Sequence, residues 1–387
     1  MKFRLAVIHF GFALTGVVTT MLGPILPLLS SQWSLSYAQS GRLFTVQFLL
    51  SVTGALIASR VMASLGAART VVIGMVLIAL GVGTMALGNL PAVIVGIGVY
   101  GAGLGFALPC TNLMVSEMVE NRAAALNLLN FSWTVGALAA PMLIDSLLKP
   151  IGLRGFLVGL AALCFAVGMV EIGGVRQLGA IEKIAVVGKL GDKARITFAV
   201  LTAVLLFLYV GVENGVAGWV PTFAQRVEYA TSRDAALVQS SFWAAILLGR
   251  LTAPLVLRIV RPAKLVFLGL FLATVGSALI VFAHDLPLFV IGVLASGIGL
   301  SSVFPNVIAI FTEWYGTGGA GSIVLGVPGL GGALFPWLVG VVGEKTGHLR
   351  LGMSVNIAVA AAALMVFFAM IQVALGARAT ALEERSA

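Results

Sequence analysis

Twelve apolar stretches, each about 20 residues or longer, follow one another along the chain with only short charged or turn-rich gaps between them. Each can cross the ~30 Å hydrocarbon core of a bilayer as a helix. A backbone in lipid must satisfy its own hydrogen bonds, which makes helix the form each stretch takes. They cover approximately 5–30, 38–63, 70–89, 91–118, 123–148, 152–175, 197–224, 236–259, 263–283, 286–313, 319–343 and 350–376. No segment of domain size is left outside them. Of the 387 residues 60% are hydrophobic and 10% charged, against roughly 25% charged in a soluble domain. A soluble enzyme, a disordered chain and a disulfide scaffold are excluded, and an all-α membrane protein is expected.

The formal charge of +9 does not point to nucleic acid, because a phosphate-binding surface gathers its Lys and Arg on one face. Here they flank the apolar runs. Numbering the runs as spans one to twelve, fifteen of the 23 Lys and Arg fall on the side of the termini and the middle segment. Seven fall on the other side, and Arg250 lies inside a span. By the positive-inside rule both termini face the cytoplasm of a plasma or inner membrane. The N-terminal run continues past Gly23-Pro24-Ile25-Leu26-Pro27 without a small-residue cleavage site, so it reads as a retained first span. Cys110 and Cys164 lie inside apolar runs at no metal or disulfide spacing.

The chain repeats itself. Gly101-Ala102-Gly103-Leu104 and Pro109 return as Gly297-Ile298-Gly299-Leu300 and Pro305, and Gly136-Ala137-Leu138 as Gly332-Ala333-Leu334, all 196 positions later. Earlier in each half the offset is 195, pairing Gly54 with Gly249, Arg69 with Lys264 and Gly74 with Gly269. The expected organisation is a six-helix bundle over 1–175, a basic cytoplasmic linker over 176–196, and a second six-helix bundle with a short tail over 197–387. Parallel repeats of this kind are built around a solute site between the halves near mid-membrane. One chain supplies both walls, so a monomer is expected to suffice.

On this plan the sequence resembles the major facilitator superfamily. The Gly-Pro-Ile-Leu-Pro end of span one is similar, as is a degraded basic turn in which Gly66 fits, Arg69 comes one place late, and Ala63 and Ser64 stand at the Asp-Arg places. Tyr209-Val210-Gly211-Val212-Glu213-Asn214-Gly215 through Trp219-Val220-Pro221, with Leu126-Asn127 through Gly136-Ala137, is similar to the fucose:proton symporter and glucose transporter branch. The resemblance implies twelve helices in two halves and sugar transport. Leu108 stands where those symporters carry an acid in span four, and span one has no acid between Leu5 and Leu29, so their coupling scheme is not carried over.

An ionisable group at membrane depth is costly and marks a functional candidate. Glu213 is the clearest and is expected to carry the coupled proton or cation. Arg250 is either a structural group reaching toward the interface or a partner for a carboxylate or an anionic solute. By helical rise it stands roughly 10 Å from Glu213 in depth, too far for a simple ion pair. In span five Asn127, Asn130, Thr134, Ala137 and Pro141 share one face. Small polar stripes also serve helix contacts, but an amide has more groups to satisfy than a hydroxyl. Asn112, Asn127, Asn130, Gln47 and Asn214 are therefore expected to bind solute, with Trp133 and Trp219 stacking on a sugar's apolar face. Asn306, next to Pro305, is expected only to satisfy a carbonyl freed by that proline.

Other patterns are set aside. Gly96-Ile97-Gly98-Val99-Tyr100-Gly101 fits a dinucleotide fingerprint but lies in an apolar helix with no preceding strand. His9, His284 and His348 are scattered, and no nucleophile–base or metal-ligand spacing occurs, so neither enzyme activity, a cofactor nor a metal is expected. The expected function is symport of a sugar or similar small polar solute with H⁺ (or Na⁺). The alternative is a proton-coupled drug or metabolite exporter. Exporters carry an Arg-x-x-Gln-Gly pattern in span four, where this chain has Ile97 and Tyr100 ahead of Gly101.

Overall fold

The computed structural model describes residues 2–118, 122–172, 192–315, 324 and 327–386. Most of the expected linker, and the start of the eleventh apolar stretch, lie outside the described residues. Every element described is a helix. Span one is α1 (Lys2–Thr20) with α2 (Leu22–Gln32), and spans two to four are α3 (Tyr37–Leu65), α4 (Ala67–Met85) and α5 (Leu90–Met118). Spans five and six are the two arms of α6 (Arg122–Ile172), which turns at Gly152, where φ is 67°. Spans seven to nine are α7 (Asp192–Arg226), α8 (Ser232–Val256) and α9 (Pro262–Phe282). Span ten is α10 (Leu286–Ser301) with α11 (Val303–Tyr315), and spans eleven and twelve are α12 (Pro328–Thr346) and α13 (Leu349–Ser386). Ten of the described helical runs are long and apolar enough to cross a membrane. One of them holds spans five and six together, and span eleven completes the twelve.

Local chemistry sets the helix ends and breaks. Span one is interrupted at Met21, since Pro24 has no N–H to return to the Thr20 carbonyl. Span two opens on a capping box: the Ser36 hydroxyl accepts from the Gln39 N–H at 3.2 Å, and the Gln39 side chain accepts from the Ser36 N–H at 2.9 Å. Span ten breaks at Ser302, ahead of Pro305. There the Asn306 amide donates at 2.6 Å to the Ser302 carbonyl, which also accepts the Asn306 backbone N–H, and not to the Ser301 carbonyl that Pro305 leaves without its helical donor.

The repeat extends from sequence to packing. A Cβ on Gly74 would press on the Gly103 carbonyl and the Ala107 N, and one on Gly269 would press on the Gly299 carbonyl and Val303. Likewise Gly81 lies against Gly96 and Tyr100, and Gly276 against Gly292 and Ser296. Spans three and four, and their counterparts nine and ten, thus meet backbone to backbone through matched small residues. The offset is 195 up to Gly81 and 196 from Gly96 onward, so the one-residue step falls in the turn between the two spans.

The halves meet most fully at the end of the bundle away from the termini, here called distal. Span two packs along span eleven and span five along span eight, while span one reaches span seven through its distal segment Leu22–Gln32. Spans four and ten make no extended contact with each other among the described residues. At the distal end Arg226 donates to the Ser30 hydroxyl at 2.7 Å and Gly340 lies under the Tyr37 carbonyl, while inside the C-terminal half the Trp219 indole N–H donates to the Pro336 carbonyl at 2.8 Å. The Glu344 carboxylate accepts from the Ser36 hydroxyl at 2.5 Å and the Ala38 N–H at 2.9 Å. Those two bonds, the hydroxyl first, hold the Glu344 carboxyl below the usual carboxylate range. A side chain from span eleven thereby caps the first turn of span two.

Candidate functional site

Tyr209 and Glu213 stand one turn apart on span seven, so their side chains meet on one face. The Tyr209 hydroxyl donates to Glu213 Oε1 at 2.9 Å. From span eight, Arg250 brings Nη2 to 3.9 Å from the same oxygen, while its Nη1 donates to the Thr134 hydroxyl of span five at 3.1 Å. The expected depth separation of Glu213 and Arg250 is therefore corrected. Rise per residue places backbones, whereas the three-carbon stem of arginine runs along the helix and closes the gap. The pair is partly open, with the Arg250 side chain 28% exposed and that of Glu213 13%. Because Thr134 belongs to the N-terminal half and Glu213 and Arg250 to the C-terminal half, the chain of contacts crosses from one half to the other.

Asn130 and Asn127 lie one and two turns from Thr134 toward the termini, on the same face of span five, and both are exposed. Three of the amides make the same local bond. Asn112 donates to the Leu108 carbonyl at 2.8 Å, Asn130 to Leu126 at 2.8 Å and Asn214 to Val210 at 2.9 Å, each four residues back in its own helix. Each bond occupies one amide N–H and leaves the amide oxygen to accept from another donor. Gln47 is placed otherwise. It is buried, donates to the Thr19 carbonyl at 2.9 Å and accepts from the Tyr100 hydroxyl at 3.0 Å, tying spans one, two and four within the N-terminal half. Trp219 is fully buried in the distal contact, edge-on to Tyr37, with its N–H committed to Pro336. Trp133 meets Trp243 of span eight edge to face, ring centroids 5.5 Å apart, and its indole N–H has no partner.

Span eight holds two residues that the sequence reading passed over. Gln239 and Trp243 precede Arg250 at spacings i, i+4 and i+11, one face of a helix. The Gln239 amide donates to the Ala217 carbonyl at 2.8 Å, leaving its oxygen without a partner, and the buried Trp243 N–H is unpartnered too. Both line a cavity of about 10 Å³ with Thr19, Gly23 and Asn214, bordered by residues of both halves. A Cβ on Gly23 would stand 2.7 Å from the Gln239 amide nitrogen and 3.0 Å from the Ala217 carbonyl, so glycine lets span one come close to the backbone of span seven there.

A family model described as Major Facilitator Superfamily matches residues 8–263. No curated protein sequence matches the chain. Among solved structures, a bacterial homologue of the human lysosomal transporter Spinster, inward-facing and unoccupied, superposes with a TM-score of 0.71 at 16% identity, covering 97% of this chain and 98% of that one. The Escherichia coli fucose:proton symporter FucP, in a point-variant form, superposes with a TM-score of 0.63 at 17% identity, covering 95% of this chain and 97% of that one, and FucP in the outward conformation with a TM-score of 0.64 at 17% identity, covering 95% and 98%. At such identities the likeness is one of fold.

Proposed function

The chain belongs to the major facilitator superfamily, a family of transporters rather than enzymes, and on that premise we propose that it is a proton-coupled symporter of a sugar or similar small polar solute. The observation that carries the reading is the Glu213 cluster. An acid at membrane depth, bonded to Tyr209 and facing Arg250, is linked through Arg250 to Thr134 of the opposite half. A proton arriving on Glu213 removes the charge that faces Arg250 and so bears on a contact that must be remade as the halves rock. A proton suits the site better than Na⁺, which takes several oxygen ligands and would be repelled by the guanidinium beside the acid. The amide oxygens of Asn130, Asn127 and Asn214 are the groups offered to solute hydroxyls. With the termini in the cytoplasm of a plasma or inner membrane, as the Lys/Arg excess favours, the distal contact closes the path to the outside. One chain suffices as the working unit.

Uptake of radiolabelled sugars into proteoliposomes, with and without a pH gradient, tests this reading. Wild type should accumulate solute only under the gradient. Glu213→Gln should keep solute exchange while losing accumulation by about tenfold or more, because exchange needs no proton release. Accumulation unchanged in Glu213→Gln, or gradient-driven expulsion of dyes, would refute the symport assignment.

A further inference from the structure

The groups around Arg250 are richer in donors than a neutral sugar requires. A guanidinium has five N–H groups. Here one is given to Thr134 and Tyr209 stands alongside, while the nearest approach to Glu213, 3.9 Å, lies beyond hydrogen-bond reach. On the same spans as Thr134 and Arg250, the indole N–H groups of Trp133 and Trp243, whose rings meet edge to face, are buried and lack acceptors. The acid opposite has Oε1 already taken by Tyr209. From this imbalance we infer that the solute carries a carboxylate that docks on Arg250, so that the cargo is a polyhydroxylated monocarboxylic acid, a sugar acid rather than a neutral sugar. The inference rests on the symport reading above and names its substrate class.

A carboxylate matches the planar fork of arginine with two parallel bonds, which a hydroxyl does not. The amide oxygens along span five, toward the termini from Thr134, would then accept from the hydroxyls of the same molecule. Charge ties the anion to the proton. Arg250 and Glu213 are neutral as a pair, and an incoming carboxylate makes the trio negative until Glu213 takes up a proton. By linkage each ligand strengthens the other's binding by the same factor. Few other titratable groups face the site. Tyr209 is bonded to Glu213, Tyr100 to Gln47 inside the N-terminal half, and His9 of span one to Ser132 at 2.9 Å, on the opposite face of span five from Thr134. The described membrane stretch of span eleven, Pro328–Gly343, contributes no ionisable side chain. One anion with one proton carries no net charge, whereas a neutral sugar with a proton carries one.

The test compares D-gluconate with sorbitol, which bears a hydroxyl in place of the carboxylate, in proteoliposomes of the full chain. Wild type should take up gluconate under an acid-outside gradient, and a valinomycin-imposed K⁺ potential should leave the rate unchanged. Arg250→Gln should lower gluconate uptake by about tenfold or more, as for loss of a charge-assisted hydrogen-bonded pair in a partly open site, and Arg250→Lys should restore part of it. Gel filtration of each variant checks that it is folded. Glu213→Gln should exchange gluconate without accumulating it. Sorbitol carried in preference to gluconate, with proton and voltage dependence, overturns the sugar-acid assignment and leaves proton symport standing. Gluconate uptake indifferent to the pH gradient or to Arg250→Gln overturns the docking and its coupling. Failure of wild type to move gluconate overturns the inference, and proton-driven sorbitol uptake in the same vesicles then decides the reading beneath it.

Discussion

Ser30→Ala removes a bond that exists only while the halves meet distally. The Arg226 guanidinium of span seven donates to the Ser30 hydroxyl of span one at 2.7 Å across the interface, and Ser30 is 3% exposed. A hydrogen bond with a charged partner is worth about 1.5–3 kcal/mol. Arg226 also lies over the Tyr37 ring, 5.5 Å from its centroid, and keeps that contact, so a lower figure applies, about 1 kcal/mol. When the distal end opens, water replaces the Ser30 hydroxyl, so the cost falls on the closed state alone. The ratio of distal-open to distal-closed molecules should rise roughly fivefold. Alanine suits the helix Leu22–Gln32 at least as well as serine, so the fold should hold. Spin labels at Ser31 and Arg233, both exposed on distal ends, would report the ratio as the weight of the longer distance. The free thiols of Cys110 and Cys164 are replaced first. A distance distribution identical to the parent's, or a fall in melting temperature with no change in distances, would refute the idea that this bond belongs to the gate.

The same labels test two other contacts. The Glu344 carboxyl is held low only while Ser36 and Ala38 bond it, so closure is favoured fully above the ordinary carboxylate value of 4.5 and loses that support as pH falls through the depressed one. Lowering the pH from 7 to 4 should lengthen the distance, and Glu344→Gln should flatten the dependence. At Gly41 a Cβ would stand 2.8 Å from the Trp337 Cα and 2.9 Å from the Pro336 carbonyl, backbone atoms that cannot swing aside. Gly41→Leu should wedge spans two and eleven apart and cut transport by tenfold or more, since every cycle must pass through distal closure; transport at the parent rate would count against the close approach.

Much of the fold was legible because lipid leaves the backbone few choices. An apolar run of the right length must be a helix, so span limits read from hydropathy and turn residues match the observed ones within a few residues for most spans. Gly152 illustrates what such a reading misses: the turn between spans five and six needs one residue with φ 67°, and the helix runs up to it on both sides. The break in span ten at Ser302 was equally hidden, because the cue, Pro305, stands three residues beyond the irregularity it causes.

The site was legible as a set of costly residues and not as a constellation. Glu213 and Arg250 stand out in any apolar run, yet their meeting depends on which way each helix turns its face toward the other half. Trp219 and Trp133 look alike in sequence, two indoles near amides. One is sealed against a carbonyl 117 positions away, and the other borders Thr134 with its N–H unused. The stripe of Gln239, Trp243 and Arg250 was open to the same periodicity test applied to span five. It was passed over because a tryptophan counts as apolar when a span is being found and as a donor only once its neighbours are known. The roles therefore come from the interface. A group whose partners lie in its own half fixes the fold of that half, as Gln47 does. A group with a partner across the divide, as Arg250 has in Thr134, must change it whenever the halves move, and that exchange is where solute and proton can be made to depend on one another.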